Sequence, residues 1–83
     1  MQIDIHWLEN WFDRFNAQYF DNNLPKPRFH IGRARTQLGT MSFKRKRTWG
    51  RTTRYDFAIG ISNYYDQPEH GFKSVLLHEM IHL

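Results

Sequence analysis

Cysteine and long apolar runs are absent from this sequence. Without cysteine, no disulfide and no thiolate zinc site can stabilise the fold. No apolar run approaches the roughly 18 residues of a membrane-spanning helix, and the N-terminus lacks the basic and apolar regions of a signal peptide. We therefore expect a cytoplasmic protein with no membrane partner. The 83 residues predict one domain, residues 1–83, with a thin core that 3 Trp, 4 Tyr and 7 Phe help to fill.

Acidic residues are also missing from the middle of the chain. Between Lys26 and Arg54 there is no Asp or Glu, and all 8 acids of the sequence lie outside this segment. The cations within it are Lys26, Arg28, Arg33, Arg35, Lys44, Arg45, Lys46, Arg47, Arg51 and Arg54. This concentration of one charge indicates an anionic partner or, in the plainer interpretation, a solvated hairpin loop whose charge keeps an edge strand soluble.

We predict that part of this segment binds DNA, either single-stranded or without sequence preference, which would make the protein nucleoid-associated. Cations contact phosphates, and an aromatic ring among them can stack on an unpaired base. The predicted contact residues are Lys44, Arg45, Lys46, Arg47, Trp49, Arg51 and Arg54.

Residues 4–20 have the periodicity of an amphipathic helix. The apolar positions, which recur at three- and four-residue spacing, are Leu8, Trp11, Phe12, Phe15 and Tyr19. We expect this stripe to be core, with Asn16 on the polar side. Asp4 is a suitable N-cap, and the run Asp21-Asn22-Asn23 is predicted to break the helix.

Three later runs alternate apolar and polar residues, as half-buried strands do. The apolar positions are Phe29 and Ile31, then Met41 and Phe43, then Tyr55, Phe57, Ile59 and Ile61. The runs predict a small, largely antiparallel three-stranded sheet that packs one face against two helices, which is an α+β fold. The predicted connections are Gly32 to Gly39 and a basic loop from Arg45 to Arg51.

A second helix is predicted from Pro68, at its first position, towards the end of the chain. Its apolar line is Phe72, Leu76 and Met80, flanked by Val75 and Leu83. A neighbouring line contains His78 and His82, and the residues from His78 to His82 read H-E-x-x-H.

The H-E-x-x-H motif predicts a zinc site. Positions i and i+4 lie on one face of a helix, so His78 and His82 can bind a single ion. Glu79 is adjacent, where its carboxylate can act as a general base on water without binding the metal. The alternative is a surface helix that carries these three residues by chance.

A catalytic zinc usually has three protein ligands, and this motif supplies two. We expect His6, His30 and His70 to face solvent rather than to complete the site. The third ligand is therefore predicted to lie beyond Leu83 in a longer protein, so that residues 1–83 alone would be inactive or nearly so. A ligand from a neighbouring chain is a second hypothesis.

The order helix, small sheet and H-E-x-x-H helix resembles the first part of a zincin metallopeptidase, and its details resemble the SprT-like family, which includes SprT and the Spartan proteases. The matching segments are Phe12-x-x-Phe15, Tyr19-Phe20 with Leu24-Pro25, Leu38 to Phe43, Ile59 to Ser62, and Leu76 to His82. The resemblance implies a zincin-like fold, zinc bound by His78 and His82, and peptide-bond cleavage with Glu79 as the base. It also implies a third ligand, a His downstream of the helix.

The sequence leaves three functions open. The first is a zinc metallopeptidase of SprT type acting on proteins near DNA. The second is a nucleic-acid-binding module that uses the basic segment 26–54 and has a non-catalytic metal site. The third is a zinc hydrolase with a non-peptide substrate. Oligomeric state and the identity of the protein substrate do not follow from these patterns.

Overall fold

A computed structural model describes residues 2–83. Its elements are α1 (Ile5–Tyr19), β1 (Arg28–Gly32), β2 (Gly39–Thr48), β3 (Arg51–Ser62) and α2 (Glu69–Ile81). The predicted α+β class and order of elements are confirmed. None of the helices among residues 2–83 is long and apolar enough to cross a membrane.

Helix α1 begins and ends close to its predicted limits. The Asp4 carboxylate accepts a hydrogen bond from the Trp7 backbone N–H at 2.7 Å, which confirms Asp4 as the N-cap. Leu8, Phe12 and Phe15 are buried. Tyr19 is 56% exposed, so its prediction as a core residue is wrong, and the buried stripe ends one turn earlier.

Asn16 departs from the predicted polar side of α1, because it is 8% exposed. Its amide donates a hydrogen bond to the Leu24 carbonyl, and its side-chain oxygen accepts one from the Leu24 N–H, both at 3.1 Å. The Asn16 carbonyl also accepts from the Asn22 N–H at 2.9 Å. A buried amide is tolerated here because both of its polar ends are bonded. Asn16 thus holds the chain that leaves the helix.

The sheet is mixed, with the order β1-β3-β2. β2 and β3 form the predicted antiparallel hairpin, whereas β1 runs parallel to β3. β3 is therefore central, and β2 is an edge strand that contacts α2. The predicted connection from Gly32 to Gly39 is confirmed by the end of β1 and the start of β2.

Both helices pack on one face of the sheet. The buried apolar residues are Ile3, Leu8, Phe12, Phe15, Ile59, Ile61, Phe72, Leu76 and Met80. Each such side chain contributes about 1.5 to 3 kcal/mol relative to leaving it in water. Val75 and Leu83 are partly buried against this core, as predicted.

Because of a β-bulge in the hairpin, one residue predicted to lie on the apolar face of β3 lies on the other face. Ser42 pairs with Ala58 but Lys44 pairs with Tyr55, so β3 has one more residue than β2 between these pairs. The β3 residues between these pairs are Asp56 and Phe57, and Asp56 has a φ of 54°, which Asp tolerates. Because a one-residue slip reverses the faces, Tyr55 does not share the core-side face of Phe57 and is 45% exposed.

The predicted basic loop from Arg45 to Arg51 is wrong, because both strands of the hairpin continue through it. The strands run to Thr48 and from Arg51, and Trp49 and Gly50 alone form the turn. Both turn residues have positive φ, 53° and 74°, as a type I′ hairpin turn requires. We call residues 44–55 the cationic arm; all of them are exposed.

Candidate metal centre and cationic arm

Helix α2 orients the H-E-x-x-H motif by burying its opposite side. Phe72, Leu76 and Met80 recur every four residues and are each 0% exposed. Because successive residues are about 100° apart around a helix, His78 points away from this buried line, and Glu79 lies at its border. The structure shows this directly: His78 and His82 are exposed, whereas Glu79 is 8% exposed.

The two ends of α2 differ slightly from the prediction. Pro68 is the N-cap rather than the first helical residue, so the helix begins one residue later, at Glu69. His82 is the C-cap and keeps helical backbone angles; its N–H bonds to the carbonyls of Glu79 and Met80. A tight last turn therefore carries the second histidine of the motif.

The rings of His78 and His82 lie together, with centroids 5.1 Å apart and planes at 79°. Two imidazoles that bind one tetrahedral zinc ion at about 2.1 Å have ring centres roughly 5 Å apart. The spacing of this pair thus fits a shared metal ion.

The Glu79 side chain lies between the buried side of α2 and a cleft beside β2. Within residues 2–83 its carboxylate forms no hydrogen bond and no ion pair, although the residue is nearly buried. Carboxylates in such positions are costly unless water, a metal ion or a substrate interacts with them. The carboxylate lies against the start of β2, beside Gly39.

A cleft of about 430 Å³ lies between α2 and the start of β2. Its lining residues are Thr36, Gln37, Leu38, Gly39, Ser74, Val75, His78 and Glu79. Ser62 fixes the loop that forms one wall, because its buried hydroxyl donates to the Ala34 carbonyl at 2.7 Å and accepts from the Tyr64 N–H. The cleft therefore places one histidine of the motif and the candidate base in the same pocket.

No group of three or more His, Cys, Asp or Glu side chains that could hold a metal ion occurs among residues 2–83. His6, His30 and His70 are exposed, as predicted, and lie on other parts of the structure. His30, for example, covers Gly60 on the sheet face that the helices leave open, where a Cβ at Gly60 would clash with the ring. The position of a third ligand stays a prediction.

The cationic arm gathers all seven residues predicted to bind nucleic acid into one two-stranded ribbon. Directly paired residues share a face. The core-side face carries Arg45, Arg47 and Arg54, and the opposite face carries Lys44, Lys46 and Arg51. Arg45 and Arg54 lie over the ring of Phe43, at 5.3 and 5.1 Å from its centroid. Trp49 forms the tip and is 97% exposed.

One acid stands at the base of the arm. Asp56 forms ion pairs with Arg28 at 2.9 Å and with Lys44 at 3.3 Å. The other five cations of the arm have no acidic partner within residues 2–83. Their positive potential is therefore available to an external anion.

A family model identifies this arrangement. The model of the SprT-like family matches residues 8–83, which include most of α1, the whole sheet, α2 and the motif. The chain belongs to the SprT-like family. This is a family of metallopeptidase type that is generally zinc-dependent. No curated protein and no solved structure matches the chain significantly.

In this SprT-like chain, sequence reasoning located the H-E-x-x-H motif but missed the importance of two other residues. Asn16 reads as an ordinary polar position of a helix, and its hydrogen bonds to Leu24 give no periodic signal. Gly39 reads as the end of the predicted connection from Gly32, and its contact with Glu79 depends on two elements far apart in the sequence.

Proposed function

We propose that the protein is a zinc-dependent peptidase domain of SprT type. Two features of α2 carry this proposal. The His78 and His82 rings lie 5.1 Å apart, and the nearly buried Glu79 carboxylate has no partner within residues 2–83. His78 and His82 would hold the zinc ion, with a further ligand from outside residues 2–83. Zinc at such a site polarises a carbonyl group and lowers the pKa of a coordinated water.

Glu79 is the proposed general base. Its carboxylate would accept a proton from the attacking water and then transfer it to the leaving amine nitrogen. The burial of Glu79 beside Gly39 keeps bulk water from one side of the carboxylate, which favours a defined position over a mobile one. Because zinc and Glu79 would act on the peptide bond itself, the reaction would not depend on the sequence of the substrate.

The edge strand β2 is the proposed binding surface for an extended peptide. Its outer edge has no strand partner within residues 2–83, and its first residue, Gly39, lies beside the candidate base. An added strand would be held by backbone hydrogen bonds, and alternate side chains would enter pockets such as the cleft. This mode places a peptide bond near Glu79 without requiring a particular substrate sequence.

The first test compares Glu79→Gln with Glu69→Gln in a C-terminally extended protein that supplies the third ligand. Glu69 is an exposed carboxylate in the first turn of the same helix, so it is a matched control. We expect E79Q to lower the rate of casein cleavage by about 100-fold or more while zinc stays bound, and E69Q to change neither. Undiminished cleavage by E79Q would remove Glu79 from the mechanism.

Zinc binding has its own control on α2. His78→Ala and His82→Ala should each weaken zinc affinity by at least about 10-fold, because each removes a direct ligand. His70→Ala, an exposed histidine two turns earlier, should leave it unchanged. Equal zinc affinity in all three variants would contradict the proposed ligands.

We also propose that the cationic arm binds nucleic acid without sequence preference. The favouring observation is that cations occupy both faces of a projecting ribbon, and five of them have no acidic partner in the part of the chain that the structure describes. A two-stranded ribbon is narrow enough to enter the major groove of a duplex, where phosphates flank it on both sides. The tip offers Trp49 for stacking on an unpaired base. The substrates would then be proteins near the DNA that the arm binds.

The turn itself supports this proposal. Trp49 has a φ of 53°, which costs a non-glycine residue roughly 1 to 2 kcal/mol. The same side chain is almost fully exposed, where it gains nothing from burial. A bulky aromatic residue in a turn position that suits Asn or Gly is therefore better explained by a ligand than by stability.

The arm can be removed without touching the core. A variant in which Asn-Gly replaces residues 45–54 would close the hairpin at the existing pair of Lys44 and Tyr55. We expect it to fold and to lose most of its affinity for DNA. The affinity of the intact protein should fall with salt at a logarithmic slope of about −5 if six phosphates are contacted. Salt-insensitive binding, or equal binding by the shortened variant, would refute the proposal.

A further inference from the structure

Gly39 lies where β2 comes closest to the metal helix. A Cβ at this position would lie 2.6 Å from Val75 Cγ1, 2.9 Å from Glu79 Oε2 and 3.0 Å from Glu79 Cγ. Its φ is outside the left-handed region, so any L-residue could adopt the backbone conformation. The requirement for glycine is therefore one of space alone.

The Glu79 carboxylate depends on this space for its position. It has no hydrogen-bonding or ionic partner within residues 2–83 that would fix its rotamer, so packing alone determines where it lies. The backbone of Gly39 forms the wall on one side, and the cleft lies on the other. Any side chain on that wall would force the carboxylate into the cleft or move β2 away from α2.

We propose that Gly39 is a positioning residue for the general base: the missing side chain lets the Glu79 carboxylate lie back against the edge strand, clear of the histidines. This inference rests on the proposed peptidase function, because a defined carboxylate position matters only if Glu79 acts on water. It makes the start of β2 part of the catalytic geometry through its contact with the Glu79 side chain.

The contact can be tested without turnover, by a double-mutant cycle on thermal stability. Gly39→Ala should lower the Tm by several degrees, and Gly32→Ala is the matched control, because a Cβ at Gly32 meets nothing within 4 Å. In a Glu79→Ala background the Tm loss from G39A should become clearly smaller, since the clashing carboxylate is gone. An equal loss in both backgrounds would overturn the assignment.

The catalytic consequence needs the extended, zinc-loaded protein. We expect G39A to lower kcat by about 10-fold or more with KM and zinc affinity within about twofold, and G32A to change none of them. Val75 supplies the closest clashing atom, so the effect of G39A on kcat should also be measured in a V75A background. This compares the double variant G39A/V75A with V75A alone. If the double variant folds well and still has a low kcat relative to V75A alone, the Glu79 contact is responsible.

The outcomes separate this inference from the proposed function. If E79Q cleaves as fast as the unchanged protein, the peptidase mechanism fails, whatever the Tm cycle shows. If E79Q is inactive but G39A retains the kcat of G32A, the mechanism stands and the positioning role of Gly39 is wrong. A carbon-13 carboxyl signal of Glu79 that shifts in G39A but not in G32A supports the role, and an unshifted signal contradicts it.

Discussion

The core of the molecule and the cationic arm share the strands β2 and β3 but are held by different interactions. In the core, Ile59 and Ile61 of β3 are buried beneath the two helices. In the arm, every residue of the same two strands is exposed, and backbone pairing and a few contacts to Phe43 hold the ribbon. The bulge beside Asp56 marks the boundary. One continuous hairpin can therefore serve as a structural strand at one end and as a binding surface at the other.

The two proposed functions use opposite ends of β2. β2 begins at Gly39, against Glu79, and ends at Thr48, next to the tip. At about 3.4 Å per residue, the nine steps between them span roughly 30 Å. A nucleic acid held by the arm would thus lie at a fixed distance from α2, without occupying the cleft.

The largest expected effect is in the core. Phe72→Ala should lower the free energy of unfolding by about 3 to 5 kcal/mol, because it empties a site that is 0% exposed beneath Trp7. Phe57→Ala, at the base of the arm, should cost clearly less because Phe57 is only half-buried. Urea denaturation of both variants measures the difference. Equal losses would show that the arm and the core are stabilised alike.

An intermediate effect is expected at the exit of α1. Asn16→Ala removes both side-chain hydrogen bonds to Leu24 and leaves the backbone groups of Leu24 without them, so we expect a loss of about 1 to 3 kcal/mol. Asn10→Ala, on the exposed side of the same helix, is the control. A loss no larger than that of the control would show that water replaces the buried bonds.

The smallest expected effect lies at the tip of the arm, and its sign is opposite. Trp49→Gly should raise the free energy of unfolding by up to about 1 kcal/mol, since glycine adopts positive φ without strain. The same change should weaken binding to single-stranded DNA more than binding to a duplex, because stacking needs an unpaired base. Thermal denaturation and fluorescence anisotropy measure the two effects. A destabilised variant with unchanged DNA affinity would contradict both.

Sequence reasoning succeeded where the signal was local. The cap at Asp4, the stripe through Phe15 and the line through Phe72, Leu76 and Met80 all depend on residues within one or two helical turns. The H-E-x-x-H pair has the same property, so its common helix face was predictable. The strand positions of β1 to β3 were predictable from alternation, but alternation does not report which strand pairs with which.

The sequence by itself determined the order of the elements, the spacing of His78 and His82, and the accumulation of cations between residues 26 and 54. Only the tertiary structure decided that Tyr55 leaves the core-side face, that the basic segment is a ribbon and not a loop, and that Gly39 lies against Glu79. The physical reason is that periodicity and caps act over a few residues. Strand register, bulges and close approaches depend on segments that meet only when the chain has folded.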